Sequence, residues 1–361
     1  MAYSSISKPS LYFNTKLYSG NGSSQAITGV GFQPDMTWLK SRSGTYGAYN
    51  PQLYDAVRGA GASKDLTPAS SAVEGVDSGA HGYISAFGTD GFTLTAGSSN
   101  SVQNNGASTE YVSWNWKANG QGSSNTAGSI NTTYTSVDAT AGISISKYTG
   151  TGSAATVGHG LGVTPDIAFF KRLDSSANWV VQTPFLGNKV QLVLNDDSAE
   201  NTDSRLGASD DWSNSVFTVG TYGDMNANGG TYVAYCFASK TGYSKIGTYK
   251  GNGNADGAFI YTGFKPAWVV CKSADTTSHW NCFDNTRSPI NPVNDYLKLN
   301  DNSAENVNVS DIQFDFVSNG LKIRGNNDEY NGNNERYVYM AFAAEPLVAN
   351  LGTNGVPATA K

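Results

Sequence analysis

Short stretches in which apolar and polar residues alternate recur along the chain and predict β-strands. In one of them, Val112, Trp114 and Trp116 fall on one face of an extended chain and the intervening residues fall on the other. The same alternation recurs at residues 233–237 and 338–342. Because strong helical periodicity is not seen in the sequence, the pattern favours an all-β protein.

Three related segments of about one hundred residues organise the sequence. Each opens with a tyrosine and two glycines, continues through a proline-led apolar run, and closes with an alternating strand. The openings are Tyr18-Ser-Gly-Asn-Gly, Tyr148-Thr-Gly-Thr-Gly and Tyr249-Lys-Gly-Asn-Gly, and the apolar runs end at Lys40, Lys171 and Lys272. This period exceeds that of solenoid repeats, so each segment is long enough to have its own core.

The repeats predict three tandem β-sandwich or jelly-roll-like domains with independent cores. The predicted parts are an N-terminal arm (1–10), unit 1 (11–118), a linker (119–141), unit 2 (142–241), unit 3 (242–345) and a C-terminal tail (346–361). The linker is rich in Gly, Ser, Thr and Asn, which is typical of a flexible or extended connector. Units 2 and 3 join almost directly, so we expect them to move as a pair and to stay folded when residues 1–118 are removed.

Composition fits an extended β architecture. Glycine contributes 41 of the 361 residues and charged residues only 14%, against a usual share of about 25%. The net charge of −6 includes no run of Lys or Arg, so we expect no nucleic-acid partner. The N-terminus has no apolar signal-peptide core, and no stretch approaches the roughly 20 apolar residues of a membrane span. We therefore expect synthesis in a host cytoplasm and no membrane insertion.

Residue types that carry catalytic or metal chemistry are sparse. Cys236, Cys271 and Cys282 are too few for a disulfide scaffold and are predicted to be free thiols. His159 lies in a glycine-rich turn without a metal-ligand partner at suitable spacing, which favours a turn residue over a catalytic one. We expect no enzymatic activity, no cofactor and no metal.

Two acidic loops offer carboxylate and amide oxygens. Residues 195–201 and 300–306 share the pattern Asn-Asp-x-Ser-Ala-Glu-Asn, and residues 66–74 of unit 1 contain a degenerate version. Such oxygens could bind calcium, but the spacing differs from that of an EF-hand loop. A plain polar loop is favoured, with ion binding as the alternative.

A charged pair recurs in two of the three units. Asp55 and Arg58 in unit 1 correspond to Asp284 and Arg287 in unit 3, and unit 2 lacks both residues. A surface ion pair or loop latch is the favoured interpretation, and a charge pair at an interface is the alternative.

The seven tryptophans fall into two groups by their surroundings. Trp38, Trp114 and Trp116 lie on apolar strand faces and are predicted to be core residues. Trp179, Trp212 and Trp280 have more polar neighbours and are the candidates for stacking on a glycan.

Four strings in units 2 and 3 carry a family resemblance. They are Tyr148-Thr-Gly-Thr-Gly, Gly158-His-Gly-Leu-Gly-Val-Thr-Pro, Thr231-Tyr-Val-Ala-Tyr-Cys-Phe-Ala and Tyr261-Thr-Gly-Phe-Lys-Pro. These strings resemble a functionally uncharacterised repeat family of virion proteins from tailed phages, notably marine and cyanobacterial ones. The resemblance is strong over about residues 140–345 and looser in unit 1. It implies a particle component such as a tail fibre or structural protein, and it supplies no catalytic motif.

The repeats, the composition and the resemblance together favour a non-enzymatic virion protein for structure or adhesion. A tail fibre, a receptor-binding protein and a particle-surface component are all compatible with them. The alternatives are a soluble array of carbohydrate-binding modules and, less favoured, a glycan depolymerase, which needs two carboxylates roughly 5 to 10 Å apart. Expected partners are other tail or capsid proteins, a host-surface glycan and further copies of the chain, with a trimer favoured for a fibre. The arm and the divergent unit 1 are the predicted docking end.

Overall fold

Strands form nearly all regular structure in the computed structural model, which describes residues 4, 6–76, 79–351 and 354–357. These residues contain 26 strands and two α-helices of four residues each. The all-β prediction is confirmed.

Each unit contributes its strands in the same general order. Unit 1 contains β1 (Phe13–Ser19), β2 (Gln25–Thr28), β3 (Met36–Gly44), β4 (Gln52–Asp55), β5 (Tyr83–Gly88), β6 (Gly91–Thr95) and β7 (Thr109–Trp116), after a 3-10 turn at Pro9–Leu11. Strand β8 (Tyr134–Asp138) lies in the segment 119–141. Unit 2 contains β9 (Ile143–Thr149), β10 (Ala155–Gly158), β11 (Ile167–Arg172), β12 (Val180–Gln182), β13 (Val190–Val193), β14 (Asn201–Thr202), β15 (Val216–Val219) and β16 (Thr231–Phe237). It also contains 3-10 turns at Pro184–Leu186 and Ser209–Asp211 and helix α1 at Gly223–Asn226. Unit 3 contains β17 (Ser244–Lys250), β18 (Phe259–Tyr261), β19 (Phe264–Ser273), β20 (Asn281–Asp284), β21 (Leu297–Lys298), β22 (Phe314–Val317), β23 (Gly320–Ile323), helix α2 (Asp328–Asn331) and β24 (Arg336–Pro346), and the hairpin β25 (Val348–Leu351) and β26 (Asn354–Pro357) follows.

Each unit is a sandwich of a larger and a smaller antiparallel sheet. The larger sheets have the orders β1-β7-β3-β4, β14-β13-β12-β11-β16-β9-β8 and β17-β24-β19-β20-β21. The smaller sheets have the orders β2-β6-β5, β10-β15 and β18-β23-β22. A separate apolar cluster lies between the two sheets of each unit.

The opposite faces of the three larger sheets pack together around one central core. Its members include the apolar faces of the three closing strands, namely Val112, Trp114, Trp116, Val233, Tyr235, Phe237, Val338, Met340 and Phe342. The prediction that Trp38, Trp114 and Trp116 are core residues is confirmed. The prediction of three independent cores is wrong, because one face of each larger sheet is buried only by the other two units.

The Tyr-x-Gly-x-Gly openings form turns that are held by a buried asparagine in every unit. The backbone N–H groups of Asn21, Thr151 and Asn252 donate to Oδ1 of Asn105, Asn226 and Asn331, at 3.1, 2.8 and 3.0 Å. The tyrosines stack on the tyrosines of the closing strands, in the pairs Tyr18–Tyr111, Tyr148–Tyr232 and Tyr249–Tyr337. The second glycine adopts a positive φ, for example 73° at Gly152, which explains why that position is glycine.

Residues 119–141 form ordered structure that belongs to unit 2, and the flexible-linker prediction is wrong. Strand β8 pairs with β9 along its whole length and extends the larger sheet. The preceding segment covers the smaller sheet, because Ile130 forms a parallel bridge with Val157 and is buried. The Gly- and Ser-rich composition hid this role, because few apolar side chains are needed to extend an existing sheet.

The N-terminal arm is part of the folded body. Ile6 lies in the central core, and Ser4 packs against Gly242, at the junction of units 2 and 3. Pro346, the last residue of β24, also lies against Gly242. The arm and the end of β24 therefore lie side by side. Residues 1–3, 5, 352–353 and 358–361 of the predicted arm and tail are outside the described residues.

The shared core predicts that the chain folds as one unit. The expectation that units 2 and 3 survive removal of residues 1–118 is replaced by the opposite one, because Phe237 and Phe342 would lose the side chains that cover them. We expect the full chain to unfold in a single calorimetric transition and the fragment 119–361 to show no cooperative transition. Truncation after residue 347 spares the core and is the matched control. A sharp transition in the 119–361 fragment would contradict the shared core.

Candidate functional site

Three aromatic side chains meet at the centre of the three-unit body. Trp116, Phe237 and Phe342 occupy equivalent positions in β7, β16 and β24, and every pair among them is in contact. Their ring centroids are 5.7 to 6.3 Å apart and the rings meet edge to face, at 62 to 73°. The units are therefore arranged around a pseudo-threefold axis.

The loops that the sequence suggested for ion binding connect neighbouring units. The backbone N–H groups of Glu74, Glu200 and Glu305 donate to the carbonyl oxygens of Leu173, Ala274 and Arg42, at 3.1, 2.7 and 2.8 Å. Unit 1 thus bonds to unit 2, unit 2 to unit 3, and unit 3 back to unit 1. The degenerate loop of unit 1 makes the same contact as the two Asn-Asp loops. Among the described residues, no group of three or more His, Cys, Asp or Glu side chains is placed to hold a metal ion.

A buried lysine lies beside each of these loops. Lys40 Nζ donates to the carbonyls of Asn302 and Ser303, at 3.2 and 2.8 Å. Lys171 Nζ donates to Ser71 O at 3.0 Å, and Lys272 Nζ to Asp197 O at 3.3 Å. Each ammonium group therefore bonds to the loop of the neighbouring unit.

Burial lowers the pKa of these three lysines. The pKa of Lys40 falls to about 7, and those of Lys171 and Lys272 fall to about 8, because the charged form loses its hydration. Nearby acids such as Asp301 and Asp224 oppose the shift only in part. Sequence reasoning missed this role, although a lysine that ends an apolar run in all three units was the available signal.

The two Asp–Arg pairs are fully buried between units. Arg58 Nε lies 2.5 Å from Asp55 Oδ2, and Arg287 Nε lies 2.5 Å from Asp284 Oδ2, with side-chain exposures of 0%. Burial by itself lowers the pKa of an arginine, but the adjacent aspartates reverse this, so the pKa of each guanidinium is raised. The favoured prediction of a surface ion pair is wrong, because the closing strand of another unit covers each pair.

Each aspartate also accepts a hydrogen bond from a neighbouring unit. Tyr235 of unit 2 donates its hydroxyl to Asp55 Oδ2 at 2.6 Å. Trp114 of unit 1 donates its indole N–H to Asp284 Oδ2 at 3.0 Å. The charges of one unit are thus satisfied in part by the next unit.

The third interface has uncharged residues at the corresponding positions. When the strand register is continued past Gln182, Thr183 and Leu186 of unit 2 correspond to the Asp and Arg of the other units. The register also aligns Met340 of unit 3 with Trp114 and Tyr235. Because the Met340 side chain has no N–H or O–H to donate, the absence of the aspartate in unit 2 is matched by the absence of a side-chain donor in unit 3.

The tryptophans proposed for glycan stacking are buried, which corrects that prediction. Trp179 donates its indole N–H to Thr67 O of unit 1 at 3.2 Å, and Trp280 donates to Val193 O of unit 2 at 3.0 Å. Trp212 packs against Phe170 inside unit 2. The polar neighbours of Trp179 and Trp280 in the sequence belong to loops that join the units, so the polar context did not indicate exposure.

His159 and the cysteines are buried structural residues. The His159 imidazole bonds to Ser213 O through Nε2 and accepts from the Leu161 backbone through Nδ1, and burial lowers its pKa to about 4. Cys271 and Cys282 belong to clusters on opposite faces of the same sheet. Burial raises the pKa of the Cys271 thiol to about 12, which makes it a poor nucleophile at neutral pH.

These contacts define an all-β protein in which three repeated sandwiches close around one core. The sequence matches the family described as Domain of unknown function (DUF7483) over residues 8–346, and the chain belongs to that family. This one match spans all three units. No curated protein and no solved structure matches the chain. None of the helices in the described part is long and apolar enough to cross a membrane.

The three interfaces predict a compensated substitution. Asp55→Thr alone leaves Arg58 buried without its main partner, and we expect the free energy of unfolding to fall by about 3 kcal/mol or more. Adding Arg58→Leu and Tyr235→Met reproduces the residues found at the third interface, so the triple variant should recover most of that loss. Urea titration measures both effects, with Asp203→Asn at an exposed ion pair as a control that should leave the midpoint nearly unchanged. A triple variant no more stable than the single one would contradict the equivalence of the interfaces.

The buried lysines predict that stability rises with pH. Their pKa is about 7 to 8 when folded and 10.5 ordinarily, so between these values the unfolded chain binds more protons. The stabilisation is complete above the unfolded pKa and is lost as the pH falls through the folded pKa. For Lys171 we expect a gain of about 1 kcal/mol between pH 7 and 9. In urea unfolding, the free energy of unfolding of Lys171→Met should rise less with pH than that of wild type. For Lys245→Met, at an exposed position, it should rise as much as that of wild type. An equal rise in the Lys171→Met variant and wild type would count against this assignment.

Proposed function

We propose that this chain is a non-enzymatic structural and adhesive component of a phage particle. The observation that carries the proposal is the closed three-unit body. The buried lysines and the Asp–Arg pairs of the repeats form hydrogen bonds in the contacts between its units. Lys40, Arg58 and Arg287, whose pKa values are strongly shifted, are all bound to neighbouring backbone or carboxylate groups. The resemblance of the repeats to virion proteins of tailed phages supports the same function.

The position of Ser4 and Pro346 supports attachment through one region of the body. Ser4 and Pro346 both lie against Gly242, so the N-terminal arm and the end of β24 meet in one region of the body. The docking end proposed here is therefore this region rather than unit 1 alone, since Ile6 of the arm is part of the central core. The remaining surface would be free to face other particle proteins or a host.

The pseudo-threefold body bears on assembly. Closure of three units around an axis normally requires three chains, and here one chain provides it. A body with three similar sides fits a threefold position in a tail or capsid, and we retain other virion proteins and further copies of the chain as the proposed partners. Strands β1 and β17 are among the edge strands of the larger sheets in the described part, and another copy could add to either of them.

The proposal predicts that the chain is a fixed-stoichiometry component of purified virions. Quantitative mass spectrometry of gradient-purified particles of the encoding phage should detect it at a constant ratio to the major capsid protein across preparations. A non-structural phage enzyme from the same lysate is the control and should be depleted by purification. Depletion of this chain in parallel with that enzyme would refute the virion assignment.

A further inference from the structure

An exposed pair of aromatic side chains lies on the outward face of the smaller sheet of unit 3. Phe259 and Tyr261 in β18 are 48% and 60% exposed, whereas Ile260 between them is 6% exposed and packs into the core of the unit. Residues two apart in a strand point to the same face and lie roughly 7 Å apart. The two rings therefore lie side by side on the surface.

The other two units show that the fold does not require these rings. Buried Ile27 and Val157 are the counterparts of Ile260 in β2 and β10. The counterparts of Phe259 are Ala26 and Thr156, and those of Tyr261 are Thr28 and Gly158. Unit 3 alone carries aromatic residues at both positions, and an exposed apolar patch of this kind marks a binding surface more often than a structural need.

The neighbouring strands place one glycine and several charged side chains around the rings. Gly320 lies opposite Tyr261 and has no side chain, and the ring of Phe259 lies against it. Lys322 lies opposite Phe259 and forms an ion pair with Asp256 at 2.7 Å. On the adjacent strand, Asp315 forms an ion pair with Arg324 at 2.6 Å. Donors and acceptors therefore flank an aromatic surface.

We propose that this face of unit 3 binds a carbohydrate, with a pyranose ring stacked on Phe259 and Tyr261. The C–H face of a pyranose packs on the electron-rich face of an aromatic ring. Sugar hydroxyls both donate and accept, so they can bond to Lys322 and to the carboxylates of Asp256 and Asp315. This inference rests on the proposed adhesive function and names the class of ligand for it.

A peptide strand is a less suitable occupant of the same place. Strand β18 is the edge of its sheet but has only three residues, and short edge strands resist the addition of another strand. A second copy of the chain is the remaining alternative, and it is an outcome of the test below.

The test replaces the rings with the residues that unit 1 carries at the same positions. The double variant Phe259→Ala, Tyr261→Thr should fold, since Ala26 and Thr28 are accepted in the same setting. The probe is an array of purified bacterial lipopolysaccharides and capsular polysaccharides. We expect the full-length wild type to bind a subset of them. The Kd of the double variant for these polysaccharides should be at least about tenfold higher, and a tenfold change corresponds to about 1.4 kcal/mol of binding free energy. Phe185→Ala, at an exposed aromatic of unit 2, is the matched control and should bind as wild type does.

Three results would overturn the inference. They are no binding of wild type to any polysaccharide on the array, unchanged binding by the double variant, and a wild-type dimer in sedimentation that the double variant abolishes. The proposed virion function is judged separately by the particle inventory. Particles that carry the double variant at normal copy number but adsorb more slowly to host cells would support both proposals. Absence of the chain from particles would refute only the virion function.

Discussion

The burial of one face of every larger sheet against the other two units is the constraint on which the rest of the structure depends. A sheet buried on both faces cannot leave an unpaired polar group on either side without a cost of about 1 to 3 kcal/mol. The aromatic contact among Trp116, Phe237 and Phe342 fills the axis and also includes β1 of unit 1, since Phe13 stacks on Phe342 at 5.2 Å. Every charge near the inner faces must therefore find partners inside the body, and the lysines and Asp–Arg pairs find some of theirs in their own unit and some in a neighbouring one.

The three interfaces solve one packing problem with different chemistry. Two of them bury an Asp–Arg pair that accepts a hydrogen bond from Tyr235 or Trp114, and the third uses Thr183, Leu186 and Met340. A buried ion pair is not in general more stable than a well-packed apolar substitute, so stability alone does not explain the difference. We interpret the polar interfaces as a device that specifies which unit packs against which, because a donor and an acceptor must be on matching sides.

Much of the secondary structure could be predicted from the sequence, and the tertiary arrangement could not. Alternation at Val112, Trp114 and Trp116 predicts a strand with one apolar face, but Ser113 and Asn115 on the other face are buried as well. A sequence pattern separates two faces and does not tell which partner covers each one. The same limit explains the tryptophans, because polar residues beside Trp179 and Trp280 are as compatible with a loop between units as with solvent.

The three copies of the unit allow fold requirements to be separated from other uses of a residue. Where all three copies agree, as at Lys40, Lys171 and Lys272, the shared geometry explains the residue. Where one copy departs and a facing residue changes with it, as at the third interface, packing explains the difference. The aromatic pair of unit 3 has neither explanation, since the rings face outward and the counterparts in the other units are small. A difference that nothing inside the described molecule compensates is best explained by something outside it, and the aromatic surface with its flanking charges is the reason why we propose a polyhydroxylated ligand.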